Sequence, residues 1–282
     1  MFKIFGDSGF DISFIVILSF FTLLWIISVF IKNVSIVDIA WGLGYAFQIA
    51  IFCFTHDYNP YNILLFIIVT FHGLRLSGFI GYRNIGKGED PRYKKFREKY
   101  GGDKHYWWIS FFQVFLLQAI ISLGICSSFG LFMYKTEKDI VFEENNVKKS
   151  VDFYKKPIPA LCIVGAVIAN FGTWFESIAD HQLYVFKSNS NNKGKLMKTG
   201  LWSITRHPNY FGETLFWWGT YMFNIAVGQY WAIYSAVVMT LLIIFVSGVA
   251  NQESNTKEKL AKYGDEYLEY KKNTAKFIPW IW

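Results

Sequence analysis

The stretch GLWSITRHPNYFGE, which ends at Glu213, holds the residues best suited to chemistry in this chain. Pro208 favours the first turn of a helix, because proline has no N–H to lose there and its φ is preset. We therefore predict a helix that begins near His207, with its unbonded N–H groups and positive dipole end beside Arg206. Such a helix start suits an anion, and phosphate is the usual one.

Two polar side chains of this predicted helix share one face, because Asn209 and Glu213 lie four residues apart. A carboxylate one turn inside an apolar segment is costly to bury, which marks Glu213 as a candidate functional residue. The alternative is that Arg206 and Glu213 form an ion pair that only locks two helices together.

Further candidates lie earlier in the chain. Asp38 follows Ser35 at the start of an apolar run, where it either acts in catalysis or stabilises the helix start, a position that Ser35 is suited to cap. His72 and Arg75 are three residues apart on one helical face, and an arginine so deep in an apolar run needs a polar cavity or the membrane surface. Gly42 and Gly44 indicate close helix packing and not a dinucleotide fingerprint.

Glu176 and Asp180 lie one turn apart and crowd one face of another helix. Paired like charges need a proton, a cation or a hydroxyl-rich ligand between them. The short polar segment that follows carries Lys187 and Lys195 toward the 200–213 stretch. No metal site is predicted, because no spacing typical of histidine or cysteine ligands occurs.

Helices that cross a membrane must position these residues. The composition is 53% hydrophobic, above the usual range for a soluble domain. We predict an all-α integral membrane protein with a single domain over residues 1–282 and a bundle of about seven transmembrane helices. The predicted spans are 12–31, 36–54, 61–81, 107–134, 158–176, 208–227 and 231–249.

The net charge of +7 is distributed around the spans and does not indicate nucleic acid binding. Eight Lys or Arg residues occur in 83–104, five in 187–206 and six in 257–276. Because positive loops face the cytoplasm, the C-terminal tail is expected there. A mixed-charge helix over 92–100 is expected on the membrane surface. The three cysteines fall inside apolar runs and are expected to be buried packing residues.

Several of these motifs together resemble the steroid 5-alpha-reductase superfamily, in particular its poorly characterised branch with the C-terminal steroid reductase domain. The resemblance covers about residues 37–280 and is strongest in RHPNYFGE from Arg206, in the segment 176–187, in GEDPRY from Gly88 and in FIPW from Phe277. It implies a bundle of seven spans that binds NADPH from the cytoplasmic side and reduces a carbon–carbon double bond of a lipid or steroid-like enone. Membrane lipids are expected partners, and the endoplasmic reticulum is the expected location in a eukaryote.

The resemblance also implies the cofactor site. Together with the residues singled out above, the candidate NADPH-binding residues are Arg75, Arg83, Asp180, Lys187, Lys195, Arg206, His207, Asn209, Glu213, Lys259 and Tyr263.

The candidates for the catalytic proton donor are Asp38 and His72. Steroid-reducing members have a glutamate on an early span and a tyrosine three residues before the arginine that matches Arg75. This chain departs from that pattern, with Asp38 as the acid on an early span and His72 three residues before Arg75. A lipid enone other than a steroid is therefore the expected substrate. Either side chain is expected to hold the enolate oxygen that forms.

Some motifs of this chain also match a different class of membrane enzyme. Membrane isoprenylcysteine and phospholipid methyltransferases, which use S-adenosylmethionine, share the pattern Arg-His-Pro-x-Tyr-x-Gly and a similar tail. They usually have two adjacent glutamates before that tail, and this chain has Gln252 and Glu253 there. A second alternative is a non-catalytic lipid-binding membrane protein.

Overall fold

The computed structural model describes residues 6–56, 58–84, 86–138, 141–144, 147–150, 159–254 and 256–281. Helices make up most of this part of the chain, and one antiparallel hairpin accompanies them. The helices are α1 (Ser8–Ile31), α2 (Val37–Thr55), α3 (Pro60–Asn84), α4 (Pro91–Lys99), α5 (Asp103–Ser110), α6 (Leu117–Lys138), α7 (Ala160–Ser188), α8 (Pro208–Ala226), α9 (Tyr234–Leu241), α10 (Val249–Ser254), α11 (Thr256–Tyr263) and α12 (Asp265–Asn273).

The hairpin pairs β1 (Val141–Glu144) with β2 (Val147–Ser150), with Val141 opposite Ser150 and Glu144 opposite Val147. No strand is predicted there from the sequence, because the segment shows no clear alternation of apolar and polar residues.

Five helical segments of the described chain are long and apolar enough to cross a membrane, and they overlap the first five predicted spans. They are Ser8–Ile31, Val34–Thr55, Pro60–Asn84, Asp103–Thr136 and Ala160–Ser188. The segments predicted as spans six and seven are helical, as α8 and as the shorter apolar run Tyr230–Val246. Their crossing of the membrane stays a prediction, as does the cytoplasmic tail.

The helices group into two compact units, one formed by residues 1–158 with 227–229 and the other by residues 159–226 with 230–282. In the first unit, α2 and α3 touch backbone to backbone. A Cβ added at Gly42 would clash with the carbonyl oxygen of Gly73, so the prediction of close packing at Gly42 is confirmed.

Buried polar groups of the first unit satisfy one another. Gln48 is fully buried and donates to the hydroxyl of Ser122 at 3.0 Å, while Ser13 donates to Gln48 at 3.4 Å. The amide inside the second predicted span is therefore paired within the unit. The three cysteines are buried and free, as predicted.

A charged network attaches α4 to the first unit. Asp90 caps this helix by accepting the N–H of Arg92 at 2.9 Å. Arg97 donates to both oxygens of Glu89, at 2.7 and 2.9 Å, and to Asp103 at 2.6 Å. The predicted helix over 92–100 is thus confirmed.

In the second unit, α7 and α8 pack with their backbones in contact. A Cβ added at Gly172 would lie 2.5 Å from the carbonyl oxygen of Gly212, and one at Gly219 would lie 2.5 Å from the nitrogen of Ala169. This stripe of small residues brings the polar faces of the two helices together.

The tail of the second unit folds back onto the segment before α8. Thr205 pairs with Ala275 in an isolated bridge, and the N–H of Arg206 donates to Ala275 at 2.9 Å. Tyr270 donates its hydroxyl to the carbonyl oxygen of Trp202 at 2.6 Å. The tail tyrosine therefore packs within the unit.

Candidate functional site

Glu253 is the hub of a charged cluster in the second unit. Its oxygens lie 3.2 Å from Nε and 3.3 Å from Nη2 of Arg206. Nε2 of His207 lies 3.1 Å from the same carboxylate, and the ammonium of Lys271 lies 3.6 Å away. We call Arg206, His207, Glu253, Lys259 and Lys271 the C-terminal cluster.

The third nitrogen of the Arg206 guanidinium, Nη1, binds the C-terminal tail. Its Nη1 donates to the carbonyl oxygens of Lys271 at 2.8 Å and Thr274 at 3.1 Å, and the residue is 9% exposed. The guanidinium is thus engaged within the protein, and a direct contact of Arg206 with a phosphate stays a prediction. The alternative prediction, an ion pair between Arg206 and Glu213, is wrong, because the guanidinium of Arg206 bonds Glu253 instead.

The carboxylate and the imidazole of the cluster titrate away from their ordinary ranges. Burial raises the pKa of Glu253, but His207, Arg206 and Lys271 outweigh it and lower the pKa to about 2. Burial lowers the pKa of His207, and the positive charges of Lys259 and Arg206 lower it further. The hydrogen bond to Glu253 and its negative charge act in the opposite direction but do not outweigh these effects. The cluster therefore favours an ionised carboxylate and makes the imidazole harder to protonate than usual.

Lys259 donates to the carbonyl oxygen of Gln252 at 2.9 Å, and its ammonium lies over the ring of Tyr267 at 5.7 Å from the centroid. Burial lowers the pKa of Lys259 below its usual value, although Glu253 opposes the shift. Three neighbouring cations lower it further: Arg206, Lys187 and Lys271. This part of the second unit therefore has more positive than negative charge.

A second group of polar side chains lies between α7 and α8. Asn209 donates to Asp180 at 3.3 Å, so the structure brings these two predicted residues together. Glu213 is 8% exposed and accepts from the indole of Trp217 at 2.9 Å. Carboxylate oxygens of Glu176 and Glu213 lie within 4.8 Å of each other. The close contact at Gly212 produces this approach.

The other predicted residues of the second unit lie near its surface. Lys187 is exposed on the last turn of α7, and Lys195 is exposed in the segment that follows. Tyr263 is half-buried at the end of α11, with the ammonium of Lys262 over its ring at 5.0 Å from the centroid.

In the first unit, Asp38 has a structural role. It accepts from Arg92 at 2.8 Å and from the hydroxyl of Tyr93 at 2.7 Å, which ties the first turn of α2 to α4. Its place in the first turn agrees with the alternative of a residue that stabilises the helix start. Its function as a proton donor stays a prediction.

The remaining candidates of the first unit all lie on α3. His72 is fully buried and stacks on Tyr45 with 6.4 Å between ring centroids. Arg75 is half-buried one turn later on the helix. Arg83 is exposed at the helix end and lies over the ring of Phe79 at 5.9 Å from the centroid.

Sequence reasoning did not place Glu253 or Lys271 in the site. A signal for Glu253 exists in the pattern of the alternative, in which an acidic pair precedes the tail. Lys271 carries no comparable signal, because a lysine in a charged tail is ordinarily a solvated residue.

Fold and site together define a class: a helical protein with several membrane-spanning segments and a buried charged cluster in its C-terminal half. The chain belongs to the family described as "Protein of unknown function (DUF1295)", whose pattern matches residues 24–274. This is a steroid 5-alpha-reductase-like family, which confirms the resemblance at family level.

A relative with a different activity also matches. The protein-S-isoprenylcysteine O-methyltransferase of Saccharomyces cerevisiae (strain ATCC 204508 / S288c) is 26% identical over 129 residues, which is 43% of this chain and 50% of the relative. The match therefore spans about half the length of that relative. No solved structure gives a significant match. Family and relative both suggest an enzyme.

Proposed function

We propose that this protein is a membrane-embedded enzyme that binds NADPH through its second unit and reduces a carbon–carbon double bond of a lipid or steroid-like enone. The observation that supports this most directly is the C-terminal cluster, in which the cations Arg206 and Lys271 both lie within 3.6 Å of the single carboxylate of Glu253. Like charges held together in a partly buried site raise the free energy of the protein unless an anion binds among them.

The sign of this charge favours one cofactor over the other. NADPH brings three phosphate groups, each of which can accept charge-assisted hydrogen bonds from lysine. S-adenosylmethionine has no phosphate and carries a positive sulfonium, so a group of cations would repel it. Lys187, Lys195 and Lys259 are therefore assigned to the phosphates, and Arg206 is assigned to holding Glu253 and the tail in place.

The polar groups of α7 and α8 suit the uncharged parts of the cofactor. The Asp180–Asn209 hydrogen bond and the Glu213–Trp217 hydrogen bond hold these side chains in fixed positions before a ligand arrives. Bound NADPH supplies a hydride. Asp38 and His72 are the proposed groups that hold the substrate oxygen.

A second candidate is an S-adenosylmethionine-dependent methyltransferase acting on a lipid or prenylated substrate. The matched yeast relative favours it. So does the contact of Glu253 with Arg206 and His207, because this places the acid expected before a methyltransferase tail directly on the Arg-His-Pro motif.

The test is a ligand-binding comparison on the full chain purified in detergent. A ligand that binds only the native state raises the melting temperature. We expect NADPH to stabilise the protein and S-adenosylmethionine to have no effect. In Lys259→Gln, the affinity for NADPH should fall about tenfold, because one charge-assisted hydrogen bond is lost.

The matched control is Lys272→Gln, which removes an exposed lysine of the same tail and should leave NADPH binding unchanged. Stabilisation by S-adenosylmethionine alone would establish the second candidate. A response to neither ligand would contradict both and favour a non-catalytic lipid-binding protein.

A further inference from the structure

A cavity of about 240 Å³ lies in the first unit between the end of α1 and the start of α5. Its walls include Lys32 after α1, and Asp103 and Trp107 on α5. Both helix ends belong to segments long enough to cross a membrane. The exposed ring of Trp107 stacks on Trp25, with 6.3 Å between centroids. Tryptophans of this kind mark the level of lipid headgroups.

The cavity wall carries two cations and one carboxylate, and Glu89 outside the wall pairs with the second cation, Arg97. Arg97 is fixed by Glu89 and Asp103. The side chain of Lys32 is 72% exposed and lies 3.1 Å from Asp103, whose side chain is 51% exposed. An accessible cation and an accessible carboxylate therefore stand side by side, which suits a ligand with one charge of each sign.

Tyr106 gives independent evidence for a polar ligand. The residue is fully buried, lines the cavity, and lies under the guanidinium of Arg97 at 5.0 Å. Its hydroxyl has no hydrogen-bond partner within the described chain. A buried hydroxyl without a partner is costly, and a polar group in the cavity would remove that cost.

An apolar surface continues from the cavity along α1. Val29 lines the cavity, and Ile26 and Ile15 follow on the same side of the helix, with 41% and 53% of their surfaces exposed. A ligand with a polar head and an apolar chain can therefore use both regions, whereas a free phosphate would use only the cavity.

From these observations we infer that the cavity binds the headgroup of a zwitterionic phospholipid. The phosphate pairs with Lys32, and the ammonium group lies between Asp103 and the face of Trp107. The acyl chain follows the exposed apolar side of α1. The site lies wholly in the first unit and does not depend on the proposed cofactor.

The test is native mass spectrometry of the delipidated full chain titrated with phosphatidylethanolamine, phosphatidylglycerol or soluble phosphoethanolamine. We expect tightest binding for phosphatidylethanolamine. Lys32→Asn should weaken it about tenfold by removing the charge, and asparagine tolerates the left-handed backbone at this position, where φ is 52°. The control Lys95→Asn removes an exposed lysine of α4 and should change nothing.

Tyr106→Phe separates binding from folding. It should weaken phosphatidylethanolamine binding without lowering the melting temperature of the lipid-free protein, because only an unsatisfied hydroxyl is removed. The proposal is overturned if phosphatidylglycerol binds at least as tightly, if soluble phosphoethanolamine binds equally well, or if Lys32→Asn behaves like Lys95→Asn.

Discussion

Replacement of Glu253 by glutamine tests the central contact of the C-terminal cluster. The carboxylate binds the guanidinium of Arg206 through two atoms and also contacts His207 and Lys271. Glutamine keeps the size of the side chain but removes its charge. Arg206, which is 9% exposed, then keeps a buried positive charge without a carboxylate partner in the cluster.

The size of the effect follows from the titration of Glu253. A fall in pKa from an ordinary 4.5 to about 2 corresponds to about 3 kcal/mol in favour of the charged side chain in the folded protein. Because the side chain is 15% exposed, solvent screens part of this energy, and we expect a loss of about 2 kcal/mol. The melting temperature should then fall by about 4–8 °C.

The assay is thermal unfolding in detergent at a series of pH values. The folded-state pKa of Glu253 is depressed, so its contribution is fully present above pH 4.5 and is lost as the pH falls toward 2. Wild-type protein should lose stability across this window. Glu253→Gln should already be less stable at pH 7 and should show a flatter profile below pH 4.5.

The matched control is Glu258→Gln, which removes an exposed acid from the neighbouring helix α11 and should resemble wild type. A Glu253→Gln variant with wild-type melting temperature and an unchanged pH profile would refute the assignment of Glu253 as the hub of the cluster.

Two further predictions concern packing and pH. Gly212→Ala should lower the melting temperature by several degrees, because the added Cβ would lie 2.6 Å from the backbone nitrogen of Glu176 and overpacking costs about 1–3 kcal/mol. The control is Gly124→Ala, whose added Cβ would meet nothing within 4 Å. Equal effects of the two substitutions on the melting temperature would contradict the backbone contact at Gly212. The pKa of His207 in the folded protein is lowered below 6.5, so the protein should lose stability as the pH falls below that value. His207→Gln should remove this part of the pH dependence of the melting temperature. If the variant still loses stability over the same pH range, another group is responsible.

The sequence by itself determined the helical segments that cross or border the membrane. Long apolar runs predict the first five spans, because about 20 apolar residues are needed to cross a bilayer in helical form. Pro208 correctly marks the start of α8, since proline acts through neighbouring backbone groups. These signals act between residues that are close in the chain, so the sequence alone is enough to predict their effect.

Only the tertiary structure decided which charges meet. The sequence leaves open an ion pair between Arg206 and Glu213, yet the guanidinium bonds Glu253, which is 47 residues away in the chain. Asp38 likewise finds Arg92, 54 residues away. The physical reason is that a salt bridge forms only between segments that pack against each other, and this packing brings together residues that are far apart in the chain.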